Sequence, residues 1–128
     1  MMKYVFVMLG GFCGAIVRFG IGQLLPVTGS FPFATLSVNL LGCLFLGWFS
    51  TISANSNKLK PEHVLLIGTG FTGSFTTFST FSVETIQLFE NGYFITACSY
   101  VLLSVIAGLL LVFLGFKLAL WSLHKQAH

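Results

Sequence analysis

The chain has 128 residues, 55% of them hydrophobic and only 7% charged, with a mean hydropathy of +0.94. A soluble domain carries about 25% charged residues, so this composition excludes a water-soluble globule and makes lipid the expected solvent. The net charge of +3 is too small to argue for nucleic acid, and the length suits one domain, expected to occupy residues 1–128.

A membrane-crossing helix needs about 20 mostly apolar residues. Residues 4–25 supply the first, interrupted by Arg18. The opening, Met1, Met2 and Lys3 before an apolar run, is similar to a signal peptide, but Arg18 breaks the run and no small-x-small cleavage site follows. It is read as a retained first helix. Pro26 with Thr28, Gly29 and Ser30 predicts a turn, and residues 31–52 a second span. Residues 53–61, with Asn55, Ser56, Asn57, Lys58 and Lys60, form the clearly aqueous loop. Residues 63–89 are the third span, Asn91-Gly92 a turn, and residues 93–116 the fourth. A polar tail ends in His124, Lys125, Gln126, Ala127 and His128. Cys13, Cys43 and Cys98 each lie in apolar surroundings and are read as packing residues, with no metal-site spacing. The expected fold class is therefore an all-α membrane protein of four transmembrane helices. Such a path leaves both termini and the 53–61 loop on one side, with Lys3, Lys58, Lys60, Lys117 and Lys125, against at most Arg18 on the other. The lysine side is expected to be cytoplasmic.

The third span is unusual. Residues 68–82 hold three Gly, five Thr and three Ser. Glycine and β-branched threonine weaken a helix, and hydroxyls compete for its backbone groups. A broken helix within a membrane is tolerated where protein or a wet cavity surrounds it, and such breaks commonly hold ions. Gly73 would permit the unusual backbone that a break needs. The competing reading is an unbroken Gly-rich helix packed tightly on its neighbours.

Polar stripes mark the other spans. Gly10, Gly14, Arg18 and Gly22 share one face of the first at four-residue spacing. Its glycines suit a close helix contact, and Arg18 faces either an anion vestibule or the interface. Thr35, Asn39 and Cys43 line the second span beside Gly42, where Asn39 is either interhelical glue or a pore-lining amide. Thr96, Tyr100, Ser104 and Gly108 line the fourth. Phe71, Phe75, Phe78 and Phe81 run along the third, and an electropositive ring edge can face an anion. Glu84 lies one turn beyond the hydroxyl-rich segment, where it can cap a helix or pair with a cation. No nucleophile has a base at plausible spacing, and His63, His124 and His128 sit at the ends, so no enzyme is expected.

Three segments carry a family resemblance: Gly10-Gly11-Phe12-Cys13-Gly14-Ala15-Ile16-Val17-Arg18, Thr35-Leu36-Ser37-Val38-Asn39-Leu40-Leu41-Gly42, and the run from Gly70 to Glu84 that contains Thr76-Thr77-Phe78-Ser79-Thr80-Phe81-Ser82. Over nearly its whole length the chain resembles the CrcB/Fluc fluoride channels. The resemblance implies a dual-topology antiparallel homodimer, or one half of a heterodimer with a paralogue, in the inner (plasma) membrane of a prokaryote. It implies two fluoride pores per dimer that export toxic fluoride passively, and a central structural sodium ion. Asn39, Phe78, Phe81 and Ser104 match the family's pore positions, and Arg18 its vestibule arginine. Gly73 and Thr76 match the positions whose backbone carbonyls hold the sodium. The rival functions are a small multidrug exporter, whose usual first-span acid is missing here, and a non-transporting assembly protein whose polar stripes are all glue.

Overall fold

The structure, a computed structural model, describes residues 2–25, 30–55 and 59–126. Pro26, Thr28 and Gly29 of the expected turn, Ser56, Asn57 and Lys58 of the aqueous loop, and Ala127 and His128 lie outside the described residues. The chain is all-helical, with no strand among those residues. Helix α1 spans Met2–Leu24 and α2 spans Phe33–Asn55. A composite segment follows: α3 (Pro61–Val64), a π-helical stretch (Leu65–Phe71), α4 (Thr72–Phe75) and α5 (Phe78–Glu90). Helix α6, Phe94–Gln126, continues past Phe116 for about three further turns. Three helices are long and apolar enough to cross a membrane: Lys3–Leu24, Phe33–Asn55 and Phe94–Lys125.

Local chemistry explains the boundaries. Pro61 opens α3 where a missing N–H costs no helical bond. α5 ends in a Schellman arrangement, with Gly92 at φ +80, its N–H donating to the Phe89 carbonyl and that of Tyr93 to the Leu88 carbonyl. The interruption between α4 and α5 falls at Thr76 (φ −76, ψ 158) and Thr77 (φ −143, ψ 124). This corrects the expectation for Gly73, which is helical; Gly92 is the single described glycine with positive φ. The break needs no glycine, because extended backbone suits β-branched residues. Thr77 also caps the new helix, its Oγ1 accepting the Thr80 N–H at 3.2 Å.

Glycines set the packing. A Cβ on Gly10 would collide with the Leu66 carbonyl, and one on Gly14 with the Phe71 carbonyl, so α1 rests directly on the backbone of the π-helical stretch. Gly20 and Gly22 meet nothing, so the close contact ends between Gly14 and Gly20. In the second pair, a Cβ on Gly47 would strike the Val112 carbonyl, and one on Gly115 the Leu44 carbonyl. Further toward the α2 N-terminus, Phe31 meets Tyr100 edge-on at 5.6 Å. Residue numbers rise together in both pairs, so α1 runs parallel to the 61–75 segment and α2 runs parallel to α6. The lysines Lys3, Lys60, Lys117 and Lys125 consequently gather at one end of the molecule. Lys58, expected with them, lies outside the described residues.

Candidate functional site

The break is held by one side chain. The Thr77 N–H donates to Asn39 Oδ1 at 2.8 Å, and Asn39 Nδ2 donates to the Thr77 carbonyl at 3.0 Å. Asn39 thus supplies the acceptor that the Thr77 N–H forfeits by leaving the helix, and adds a second donor to the Thr77 carbonyl, which also opens α5. In an unbroken helix the Thr77 N–H would serve the Gly73 carbonyl, and the Thr80 N–H the Thr76 carbonyl. Both donors are diverted, to Asn39 and to Thr77 Oγ1 respectively. The carbonyls of Gly73 and Thr76 are left without their helical donors, and the bare α-carbon of Gly73 faces open space. The Thr76 hydroxyl turns back on the Thr72 carbonyl at 2.9 Å.

Beside the break runs a groove of 460 Å³, with Asn39, Phe78, Phe81 and Ser104 on its walls and Gly73 and Thr76 along it. Among the described residues, no lysine or arginine lines it. Phe78 and Phe81 have ring centroids 6.0 Å apart, and Phe81 leans on Tyr100 at 5.0 Å. Phe78 is 81% exposed, an unusual state for a phenylalanine on a helix's first turn. Ser104 Oγ is buried with no hydrogen-bond partner. A buried hydroxyl left unpaired costs about 1–3 kcal/mol, so its presence beside an amide and two rings marks a place where an acceptor can bind. The fourth-helix stripe is therefore split, Tyr100 being engaged and Ser104 free.

Arg18 is not part of this groove. It lines two other cavities, one of 570 Å³ with Gly11, Ser74, Thr77 and Ser79, and one of 340 Å³ with Thr35, Val38 and Thr80. Both also touch Thr77, so Arg18 approaches the break from the α1 side.

Glu84 has a role that sequence reasoning missed. It does not cap α5, which Thr77 does. Its Oε1 accepts the Thr35 hydroxyl at 2.8 Å and its Oε2 the Tyr100 hydroxyl at 2.8 Å, so one carboxylate joins α2, α5 and α6. Charge-assisted bonds of this kind are about twice as strong as neutral ones. Thr35 and Tyr100 stand out in the sequence as members of the two polar stripes, but nothing in the spacing links them to Glu84. The clamp on Thr77 was equally hidden, although a threonine at that place is a residue type favoured at helix N-caps.

Residues 5–116 match the family described as CrcB-like protein, Camphor Resistance (CrcB). A protein of Oceanobacillus iheyensis named fluoride-specific ion channel FluC is 46% identical over 126 residues, covering 98% of each chain. Fluoride-specific ion channel FluC 1 of Bacillus cereus is 45% identical over 127 residues, covering 96% of this chain and 87% of the relative. The FluC protein of Chlorobium phaeobacteroides is 44% identical over 115 residues, 88% and 90% of the two chains. These relatives are named as channels and not as enzymes. The matched segment contains the break, the Asn39 clamp, the Phe78–Phe81 pair and Ser104. The chain belongs to the CrcB-like family, the family of the fluoride-specific ion channels.

Proposed function

We propose that the chain conducts fluoride selectively across the inner (plasma) membrane of a prokaryotic cell, letting cytoplasmic fluoride leave by passive electrodiffusion. The observation that carries this reading is the unpartnered Ser104 hydroxyl in a groove shared with Asn39, Phe78 and Phe81. A small, strongly hydrated anion needs donors that replace its water. The Ser104 hydroxyl, the second N–H of Asn39 and the electropositive ring edges are such donors. Full positive charge is missing from the groove walls, and that favours conduction over capture, because a conducting site must bind weakly enough to release. Relatives named fluoride-specific supply the identity of the anion. The test is ion efflux from liposomes holding the purified chain: fluoride leaves and chloride stays. Equal currents for the two ions would overturn the reading.

We take residues 61–90 as a fourth crossing. Since α2 and α6 are parallel, the chain between them has to return across the same thickness, and 61–90 is the stretch available. The open groove and the exposed Phe78 suit closure by a second copy in the opposite orientation, each copy completing a pore, so that the dimer holds two. A heterodimer with an oppositely oriented paralogue would close it equally, and the lysines at one end favour a fixed orientation for each chain. Labelling of Asn55→Cys from each side of intact cells separates the two. Labelling from both sides, with flux from the chain alone, supports the homodimer; labelling from one side with no flux supports the heterodimer.

A resident sodium ion is part of this proposal. The residues fit it: the Gly73 and Thr76 carbonyls lack their helical donors and face a surface with no side chain at Gly73. Neutral oxygen ligands suit a monovalent hard cation. When bound, the ion supplies a fixed positive charge that lowers the energy of an anion nearby. Asn39 maintains those carbonyls by diverting the Thr77 N–H. Fluoride flux after exhaustive replacement of sodium by a bulky organic cation is expected to collapse; unchanged flux would remove the ion from the proposal.

A further inference from the structure

The lysine-bearing end of the molecule carries more than charge. Both tryptophans of the chain, Trp48 and Trp121, lie there, with the Trp48 backbone beside Gly115 of α6. Lys117 Nζ sits 5.2 Å from the centroid of the Phe113 ring, and Lys125 Nζ sits 5.5 Å from that of Trp121. Phe113 and Trp121 are themselves exposed, Trp121 at 67%. Each ring holds its ammonium against the flank of α6, where it faces sideways instead of reaching along the axis into water. At 33 residues α6 is about 50 Å long, against a hydrocarbon core of about 30 Å, so its last turns stand at headgroup depth. Lys3 and Lys60 occupy the same level on the neighbouring helix pair. At the opposite end the described residues include Glu90 and Tyr93 but no lysine.

We propose that this end of α6, centred on Lys125 with Trp121 and reinforced two turns deeper by Lys117 with Phe113, is a binding surface for anionic phospholipid headgroups. The chemistry fits a lipid phosphodiester on three counts. The cations face laterally, where a headgroup lies. The tryptophan offers an amphipathic ring at the level where lipid changes from apolar to polar. The exposed apolar flank below, with Leu114 and Leu118, suits acyl chains, which a soluble anion lacks. This surface is separate from the groove, depends on membrane insertion alone, and would hold whichever ion the chain conducts. In the cell it would seat each lysine end against the anionic lipids of the leaflet that it faces.

The two tryptophans provide the measurement. Trp48→Phe leaves Trp121 as the sole reporter, and purified protein is reconstituted in phosphatidylcholine bilayers containing brominated lipid at fixed mole fraction. Brominated phosphatidylglycerol is expected to quench Trp121 at a lower mole fraction than brominated phosphatidylcholine does. Lys117→Gln with Lys125→Gln should erase that preference, by about fivefold in relative affinity for each lysine lost. Lys117→Arg with Lys125→Arg should retain it. Equal quenching by the two lipids overturns the proposal, as does a preference that survives both glutamine substitutions. Quenching relieved by inorganic phosphate at constant ionic strength would also overturn it, by making the ligand a free anion. A monodisperse elution peak in detergent and an unchanged helical circular-dichroism spectrum in each variant certify that the protein is folded.

Discussion

On the α1 side of the break, backbone meets backbone: Gly10 and Gly14 press on the carbonyls of Leu66 and Phe71, and the Thr72 hydroxyl turns onto the Ile67 carbonyl at 3.0 Å. On the far side, α5 touches its neighbours through side chains, with Phe81 against Tyr100 and Glu84 between Thr35 and Tyr100, while Phe78 stands exposed. One continuous Gly/Ser/Thr-rich stretch thus yields a closely packed half and an open, polar half. The first fixes position, and the second offers groups to a ligand. Two threonines in extended conformation make the difference, because they end one hydrogen-bonded ladder and start another.

Substitutions can break this contrast, and the largest effect should come from the packed half. Gly14→Leu forces a side chain into the Phe71 backbone and is expected to destabilise by about 3 kcal/mol or more, read as loss of the monodisperse peak and a lowered Tm in detergent. A mild loss would mean that α1 can move off the π-helical stretch. Asn39→Asp comes next. It turns the donor facing the Thr77 carbonyl into an acceptor and places a negative charge in the anion's groove, so flux should fall about a hundredfold, equivalent to about 2–3 kcal/mol. Near-normal flux would separate the clamp from conduction. Thr35→Val removes one donor from the Glu84 carboxylate at little change in volume and should cost about 1.5–3 kcal/mol in thermal unfolding.

The smallest effect on stability sharpens the contrast most. Ser104→Ala deletes a buried hydroxyl that has no partner, so stability should not fall and should rise by about 1 kcal/mol. Flux through liposomes should nevertheless fall by about tenfold, one lost donor being worth about 1.4 kcal/mol. Unaltered flux would reduce Ser104 to packing.

Much of the helical plan was legible in the sequence because lipid imposes long apolar runs that need no tertiary knowledge. The lysine bias was equally legible, since it depends only on counting along the chain. The site was legible in composition but not in connection. Asn39, Ser104 and the Phe78–Phe81 pair were identifiable as polar or aromatic stripes, and the groove does bring them together. That Asn39 bonds the backbone of Thr77, 38 positions away, depends on how two helices are rotated, which no local pattern records. Gly73 was chosen for the break on intrinsic flexibility; the decisive property was instead the capping capacity of Thr77. Arg18 shares a face with Gly10 and Gly14, but the spacing does not record that the close contact is lost by Gly20 or that Arg18 lines cavities beside the break.

The parallel pairing has a consequence for how the protein is made. The contacts that α1 needs, at Leu66 and Phe71, lie roughly sixty residues downstream of Gly10 and Gly14, and those of α2, at Val112 and Gly115, are as far from Gly47 and Leu44. Neither α1 nor α2 therefore finds its close backbone contact in the next helix synthesised. At about 5–20 residues per second, α1 waits on the order of 3–12 s in the membrane with its glycine face unmatched. α1 must reach past α2 to its mate, and α2 past the 61–90 segment to α6. Slowing translation between residues 61 and 75 should lengthen the life of this unpaired helix, and its capture by insertion machinery or degradation by membrane proteases would rise in step.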